Sequence, residues 1–349
     1  MSGKSNEKRV LVALSGGVDS SVSAALLQES GYQVEGAIMV LEGTSDESID
    51  FASKAADRLQ IPFHRLDFRE EHQARVIDYF VREYQRGRTP NPCVVCNKTV
   101  KFGLFMKKVH QIGIGYMATG HYAGIEKKHG RYVLKKGIDK NEQSYFLYKL
   151  NQDQLSKTLF PLAKRTKDEV RTIARTRKLP TAKRKKSQDV CFIPDGNYTS
   201  FLEDRIHQIP GPILNSEEKQ IGQHKGIIHY TIGQRHGIGI SHKYPYYVTM
   251  IDAVKNAIYI GEKKQVYKKE FIARDLNFIP FDTLEQCITV SAKVRYFSPL
   301  YEALVEPMGH DKIRVTFKKP QWAITPGQSV VFYQRDLVIG GGIIDKVVS

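Results

Sequence analysis

The segment SGGVDS, residues 15–20, combines residue types that suit the binding of a phosphate group. It follows the apolar run RVLVAL, residues 9–14, which predicts a buried strand, and it precedes a segment with helical spacing. Gly16 and Gly17 lack a Cβ atom, so the backbone can turn tightly and direct N–H groups at an anion. The following helix start adds its positive dipole end. The loop therefore predicts a phosphate site, although it lacks the Walker and dinucleotide signatures.

Three of the four cysteines stand in loop-like surroundings where thiols can do chemistry. Cys93 and Cys96 form a C-x-x-C pair in TPNPCVVCNK, and Cys191 lies in SQDVCFIPDG. Cys287, in QCITV, predicts a small buried apolar residue. Structural zinc usually takes four ligands, so three thiols favour two other chemistries. One is a nucleophile with a partner that carries a persulfide, and the other is a three-ligand iron–sulfur cluster.

The charge of the chain predicts a polyanionic partner. The 349 residues contain 53 Lys and Arg against 37 Asp and Glu, a formal net charge of +16. This excess favours nucleic acid or an anionic membrane surface, and the most basic stretch is residues 164–186. A hydrophobic content of 41% excludes wholesale disorder, and four cysteines do not make a secreted disulfide framework. With no signal peptide and no run approaching ~18 apolar residues, we expect a cytoplasmic protein without a membrane partner.

Alternating strands and helices must position the loop and the thiols. Apolar runs predict strands at residues 9–14, 33–40, 63–67 and 116–119, with helical segments between them. This alternation predicts a parallel sheet covered by helices, with ligands bound at the carboxyl ends of the strands. After about residue 200, short apolar runs separated by turn signals predict a β-rich remainder that forms a barrel or sandwich.

Several blocks of the sequence resemble the tRNA-specific 2-thiouridylases, the bacterial MnmA family of the ATP pyrophosphatase superfamily. The SGGVDS loop resembles the pyrophosphate loop of that superfamily. The other blocks are GRTPNPCVVCNKTVKF (87–102), ATGHYA (118–123), QSYFLYKL (143–150), SQDVCFIPDG (187–196), HYTIGQRHGIGI (229–240) and VRYFSP (294–299). The resemblance runs through nearly the whole chain.

The resemblance implies a fold, an activity and partners. The implied α/β fold has an N-terminal HUP-like ATP-pyrophosphatase domain with a parallel sheet at 1–203, a small central domain at 204–268 and a C-terminal antiparallel β-barrel at 269–349. The family installs sulfur at C2 of the wobble uridine, position 34, in the tRNAs for Lys, Glu and Gln. It adenylates the C2 oxygen with ATP and then transfers sulfur. The implied cofactors are ATP and Mg²⁺, and the sulfur donor would be a cysteine desulfurase or a relay protein.

The resemblance also implies roles for single residues. Cys96 matches the nucleophile and Cys191 the persulfide carrier, while the alternative [4Fe–4S] cluster would use Cys93, Cys96 and Cys191. The positions that match ATP-binding residues are Ala13, Leu14, Ser15, Gly16, Gly17, Val18, Asp19, Ser20, Met39 and Gly120. The positions that match tRNA-contacting residues are His121, Asn141, Glu142, Gln143, Arg295, Tyr296 and Gln328.

The sequence departs from the family pattern at three places. Many members have Asp at the position of Cys93, so a carboxylate is missing beside the nucleophile, which strengthens the cluster alternative. Asn141 and Glu142 replace the usual Lys-Asp, which removes one cation from the expected RNA contact. The segment after Met39 is short and lacks an Asn-Trp pair, so contacts made there should differ.

Two other functions compete with tRNA thiolation. A ligase of the same superfamily acting on a small molecule is disfavoured by the net charge, the paired cysteines and the β-rich tail. A non-catalytic RNA-binding or iron–sulfur carrier protein is disfavoured by the intact SGGVDS loop. If an RNA base leaves its stack, Tyr122, Tyr145 and Phe146 are candidate stacking surfaces, with core packing as the alternative.

Overall fold

The computed structural model describes residues 8–184, 190–193 and 196–348. The chain divides into two units. Unit 1 comprises residues 1–76, 93–194 and 336–339, and unit 2 comprises residues 77–92, 195–335 and 340–349. The SGGVDS loop and the three cysteines of the predicted site all belong to unit 1.

Unit 1 is built around a parallel sheet. Its strands are β1 (Arg9–Ala13), β2 (Gln33–Val40), β3 (Phe63–Asp67), β4 (Tyr116–Ala118), β5 (Ala123–Lys128), β6 (Arg131–Lys136) and β7 (Thr158–Leu159). Five of them form the sheet, in the order β3–β2–β1–β4–β7, and every pair is parallel. β5 and β6 form an antiparallel hairpin. The centre of the sheet is apolar and buried, as a parallel sheet covered on both faces requires.

Helices separate or follow these strands along the chain. They are α1 (Val18–Glu29), α2 (Asp46–Leu59), α3 (Arg69–His72), α4 (Asp78–Gln85), α5 (Pro92–Cys96), α6 (Met106–Gln111), α7 (Gln152–Ser156), α8 (Lys167–Thr176) and α9 (Tyr198–Glu203). α4 and α9 lie in unit 2. Two π-helical segments, Gln73–Ile77 and Asn97–Phe105, continue α3 and α5. Across the described ranges, no helix is long and apolar enough to cross a membrane.

Most of unit 2 is β structure. Its strands are β8 (Gly211–Leu214), β9 (Gln220–His224), β10 (Tyr247–Asp252), β11 (Ala257–Gly261), β12 (Tyr267–Phe278), β13 (Ile288–Lys293), β14 (Tyr301–Pro307), β15 (Lys312–Trp322), β16 (Ser329–Gln334) and β17 (Leu337–Val347), the last of which begins in unit 1. β8 to β11 form a small sheet in the order β10–β11–β8–β9. β12 to β17 form an antiparallel barrel that the pairing of β12 with β17 closes. The predicted fold class is confirmed.

Candidate functional site

The SGGVDS loop connects the carboxyl end of β1 to the start of α1, at the edge where parallel sheets bind ligands. Gly16 has a φ of +71°, in the left-handed region that favours glycine. Gly17 is the N-cap of α1 and makes no side-chain capping bond. The first N–H groups of α1 therefore have no capping side chain in front of them and are suited to an anion.

Serine hydroxyls hold the loop in its turned shape. The backbone N–H of Ser15 donates to Ser20 Oγ at 3.1 Å, and Ser20 Oγ donates to the Gly17 carbonyl at 3.2 Å. Ser21 Oγ donates to the same carbonyl at 2.9 Å. These bonds preorganise the backbone, so a phosphate group would meet N–H groups that are already oriented.

The carboxylate of Asp19 is paired within unit 1. Lys167 Nζ donates to its two oxygens at 2.6 and 2.7 Å, and the Tyr122 hydroxyl donates at 2.8 Å. Tyr122 is only 3% exposed, and burial followed by the charge of Asp19 raises its pKa. Lys167 therefore offsets the negative charge of the loop, which would otherwise repel phosphate.

The remaining positions matched to ATP lie at or just after the carboxyl ends of β1, β2 and β4. Ala13 ends β1 and Leu14 follows it, and both side chains are buried, so these residues would contribute backbone rather than side chains. Gly120 follows β4, and a Cβ atom there would lie 2.8 Å from the Asp19 carbonyl carbon and the Ser20 nitrogen. Glycine thus allows β4 to end against the SGGVDS loop. Met39 is a partly buried residue of β2, in register with Leu66.

Cys191 packs at the same edge of the sheet. The loop after β2 contains Gly43, whose φ is +84°, and a Cβ atom there would lie 2.8 Å from the Phe192 Cα atom. Phe192 is buried and meets the ring of His72 edge to face, with centroids 5.6 Å apart. His72 is fully buried, and its ring nitrogens have no hydrogen-bond partner among the residues that the structure describes. These contacts hold Cys191 beside the strand end, with its side chain exposed.

Cys93, Cys96 and Cys191, hereafter the thiol cluster, share one cation, Lys101. Cys93 is exposed and Cys96 is 4% exposed in α5, which continues into the π-helical segment Asn97–Phe105. One π-helical turn spans about five residues, so Lys101 lies on the same face as Cys96. Burial raises the pKa of Cys96 to about 12. Cys93 and Cys191 expose their side chains, but the protein around them displaces much of the water and raises the pKa of both thiols. The Lys101 ammonium acts in the opposite direction and lowers the pKa of all three.

The thiol cluster does not have the arrangement of a metal site. In the part of the chain that the structure describes, no group of three or more His, Cys, Asp or Glu side chains could hold a metal ion. Cys96 is buried whereas Cys93 and Cys191 are exposed. The [4Fe–4S] cluster therefore stays an alternative predicted from the sequence, and thiol chemistry is available to these side chains as they stand.

We expect alkylation of Cys96 to accelerate steadily with pH. Only the thiolate reacts, and the pKa of Cys96 is raised to about 12, so the rate should rise about tenfold per pH unit between roughly pH 7 and 9. Timed iodoacetamide labelling with peptide mass spectrometry measures this, and the exposed Cys287 controls for the reagent. A Cys96 rate that levels off below about pH 9 would contradict the assigned environment. Lys101→Met should slow the labelling further.

Comparison with known proteins identifies the family. Models of the tRNA methyl transferase HUP domain, the tRNA methyl transferase PRC-barrel domain and the aminomethyltransferase beta-barrel domain match residues 8–195, 199–262 and 268–344. The tRNA-specific 2-thiouridylase MnmA of Caldicellulosiruptor saccharolyticus is 48% identical, with 97% of this chain and 99% of that protein covered. The chain belongs to the MnmA family. The MnmA of Carboxydothermus hydrogenoformans is 46% identical, with 97% and 98% covered.

One solved structure extends the comparison beyond the MnmA family. The U34-tRNA thiolase NcsA from Methanococcus maripaludis, solved with its [4Fe–4S] cluster, is 22% identical and covers 57% of this chain and 66% of that chain, at a TM-score of 0.37. At this TM-score the likeness supports no conclusion about the thiol cluster.

His121, an MnmA-matched tRNA position in unit 1, is a neutral imidazole. Its Nδ1 atom lies 2.6 Å from the hydroxyl of Thr119, at the end of β4. Burial, and then the charge of Lys101, lowers the pKa of His121 to about 3. His121 can therefore offer a hydrogen bond to a base but no positive charge to a phosphate.

The three neighbouring MnmA-matched positions use their side chains within the protein. Asn141 Nδ2 donates to Asp139 at 2.8 Å, and Gln143 Oε1 accepts from the Tyr122 N–H at 3.1 Å. Glu142 accepts from the hydroxyl of Ser144 at 2.5 Å. The structure thus gives residues 141–143 a role in shaping this segment.

The matched positions of unit 2 lie in and around the barrel. Arg295 donates to the Thr325 hydroxyl at 2.6 Å, and Gln328 Nε2 donates to the Thr89 carbonyl at 2.9 Å. Tyr296 packs edge to face on Phe297, with ring centroids 4.7 Å apart. Phe297 is 94% exposed. Its exposure was not predictable from its apolar type.

Two expectations from the sequence are wrong. Tyr122 and Tyr145 are buried, so their rings are not stacking surfaces, while Phe146 is partly buried. Cys287 is exposed rather than buried, because it lies just before β13 and not in the strand itself. Lys185 and Lys186, at the end of the basic stretch, lie outside the described residues.

Proposed function

We propose that this protein is an ATP-dependent tRNA-uridine 2-sulfurtransferase that acts on the wobble uridine, position 34, of the tRNAs for Lys, Glu and Gln. One observation carries the proposal. In a chain that is 48% identical to an MnmA over nearly full length, the nucleotide-type SGGVDS loop and the thiol-bearing Cys191 segment lie at the same edge of the sheet. The three-domain division at residues 1–203, 204–268 and 269–349 is part of this proposal.

The first step makes the uracil C2 oxygen a leaving group. This oxygen is otherwise hard to expel, because its loss costs the urea-like resonance of the ring. Attack of the oxygen on the α-phosphate of ATP releases pyrophosphate and leaves AMP bound to C2. The preorganised N–H groups of the SGGVDS loop and α1 stabilise charge on the departing pyrophosphate. Mg²⁺ bound with ATP would neutralise phosphate charge, with Asp19 as the nearby carboxylate of the loop.

The second step exchanges oxygen for sulfur. The terminal sulfur of a persulfide on Cys191 attacks C2 and loses its proton, and AMP leaves with the former C2 oxygen. The thiolate of Cys96 then attacks Cys191 Sγ. The S–S bond breaks with its electron pair on the sulfur bound to C2, which yields 2-thiouridine and a Cys96–Cys191 disulfide. A dithiol reductant supplies two electrons to restore the thiols, and a cysteine desulfurase or relay protein reloads Cys191.

Product analysis tests this function directly. Purified protein is incubated with unmodified tRNA, ATP, a persulfide donor and a dithiol, and 2-thiouridine, AMP and pyrophosphate are quantified. We expect one AMP per 2-thiouridine and no ATP cleavage without tRNA. Pyrophosphate release that needs no tRNA would instead indicate a ligase for a small molecule. Iron and sulfide counts after anaerobic purification, with activity after chelation, test the cluster alternative.

We expect Phe297→Ala to weaken tRNA binding about fivefold to 150-fold, because stacking of one base on an aromatic ring is worth about 1–3 kcal/mol. Phe297 is 94% exposed and rests against Tyr296, as a stacking surface requires. Filter binding at fixed salt measures the effect, with Phe297→Trp as the variant that should retain affinity. Equal tRNA affinity of Phe297→Ala and the wild type would show that Phe297 does not stack on a base of the tRNA.

A further inference from the structure

Arg184 lies directly against the SGGVDS loop. Its Nη1 donates to the Gly16 carbonyl at 3.0 Å, and its Nη2 donates to Ser48 Oγ at 2.9 Å and to Glu47 Oε2 at 3.3 Å. The guanidinium carbon lies 4.9 Å from the centroid of the Phe51 ring. One guanidinium thus joins the loop after β1 to the first turn of α2.

The contact around Gly16 is close. A Cβ atom on Gly16 would collide with the Ser48 carbonyl and would lie 2.8 Å from Arg184 Nη1. The planar fork of arginine can donate in two directions at once, which the ammonium of lysine does less well. The fork therefore places a permanent positive charge beside the N–H groups that begin α1.

That positive charge is weakly compensated. Its carboxylate partner in the described ranges is Glu47, whose side chain is 69% exposed, and such surface pairs contribute little. Asp19, the carboxylate of the loop, is already paired with Lys167. Phosphate oxygens bind a guanidinium strongly. They can therefore replace the Ser48 hydroxyl and the solvated Glu47 carboxylate as hydrogen-bond acceptors of Arg184.

We propose that Arg184 binds the β- and γ-phosphates of ATP and holds the pyrophosphate as it departs. The inference rests on the proposed function, because it takes ATP as the substrate and cleavage between the α- and β-phosphates as the reaction. The bond to the Gly16 carbonyl keeps the guanidinium at the loop. The bonds to Ser48 and Glu47 are the ones that phosphate oxygens replace.

A purely structural role predicts a different pattern. Both roles would lower affinity for ATP and pyrophosphate, because the loop itself is assigned to the β- and γ-phosphates. Glu47→Gln separates them, because it weakens a bond that phosphate oxygens must replace. A phosphate ligand predicts ATP affinity equal to or above that of the wild type in this variant, whereas a role in holding the loop to α2 predicts a loss.

Calorimetric titration of Arg184→Gln with ATP, pyrophosphate and AMP tests the proposal. We expect affinity for ATP and pyrophosphate to fall about 10- to 100-fold, the size of a lost charge-assisted bond, and affinity for AMP to change less than about threefold. The affinity of Arg184→Lys for ATP and pyrophosphate should lie between those of Arg184→Gln and the wild type, because lysine keeps the charge but lacks the planar fork. Arg184→Lys also serves as the test protein if Arg184→Gln misfolds.

Arg177→Gln is the matched control, because Arg177 lies in the same basic stretch and pairs with Glu29 rather than with the loop. Its nucleotide affinities should equal those of the wild type. No loss of ATP affinity in the Arg184 variants, or a loss in Glu47→Gln as large as that in Arg184→Gln, would overturn the inference. If the wild type itself binds no ATP, the proposed function fails instead.

Discussion

Cys191→Ser should form no detectable 2-thiouridine, a loss of at least about 10³-fold, because a serine hydroxyl cannot carry a sulfane sulfur. Adenylation does not use this thiol, so a first turnover of ATP on tRNA should still release pyrophosphate. Cys96→Ser should also yield no free product when no external thiol is present. It should instead accumulate tRNA attached to Cys191, because the thiol that cleaves the linkage is missing, and dithiothreitol should release that tRNA.

Cys287→Ser is the control for both variants, since Cys287 is an exposed thiol of unit 2. It should retain wild-type yield. Mass spectrometry of the digested tRNA and gel mobility of the adduct supply the two readouts. Wild-type yield from Cys191→Ser would show that Cys191 does not carry the persulfide. Free product from Cys96→Ser without added thiol would assign the release step to another group.

Gly16→Ala should lower ATP affinity at least about 100-fold. The φ of +71° disfavours alanine, and the new methyl group would collide with the Ser48 carbonyl and crowd Arg184. The loop must therefore move, and the N–H groups that would receive phosphate move with it. Calorimetric titration with ATP measures the loss.

Gly31→Ala is the matched control for this substitution. Gly31 has a φ of +80°, but a Cβ atom there would have no neighbour within 4 Å. The positive φ should lower the free energy of unfolding of Gly31→Ala by about 1 kcal/mol, which is measured as a lower melting temperature. Its ATP affinity should equal that of the wild type. Equal ATP affinity for Gly16→Ala and Gly31→Ala would contradict the role of the SGGVDS loop.

The parallel sheet was largely predictable from the sequence. The strands predicted at residues 33–40 and 63–67 are β2 and β3 with unchanged bounds. β1 and β2 lie inside the sheet and are mostly buried apolar runs, which are easily recognised, whereas β3 is a partly exposed edge strand with the sequence FHRLD. The β5–β6 hairpin was missed, because its strands are short and end in lysines, and its turn depends on positive φ angles at His129 and Gly130.

The site was predictable in its parts but not in its electrostatics. Composition and spacing cannot predict that Cys191 acts together with Cys96, because the two are 95 residues apart. Only the family resemblance paired them. Lys101 was missed because ordinary α-helical spacing of four residues would place Val100 beside Cys96. The π-helical segment widens the turn and brings Lys101 to that face instead. The sequence does not distinguish Arg184 from the other basic residues of 164–186. Its hydrogen bond to the Gly16 carbonyl in the structure does.

The fate of the uracil C2 oxygen tests the central claim most directly. A tRNA transcribed with [2-¹⁸O]uridine is thiolated in a single turnover with ATP, and the nucleotide products are analysed by mass spectrometry. If the C2 oxygen is adenylated, the label appears in AMP in proportion to the 2-thiouridine formed. Unlabelled AMP with ¹⁸O in water, or label in inorganic phosphate, would contradict adenylation of the base.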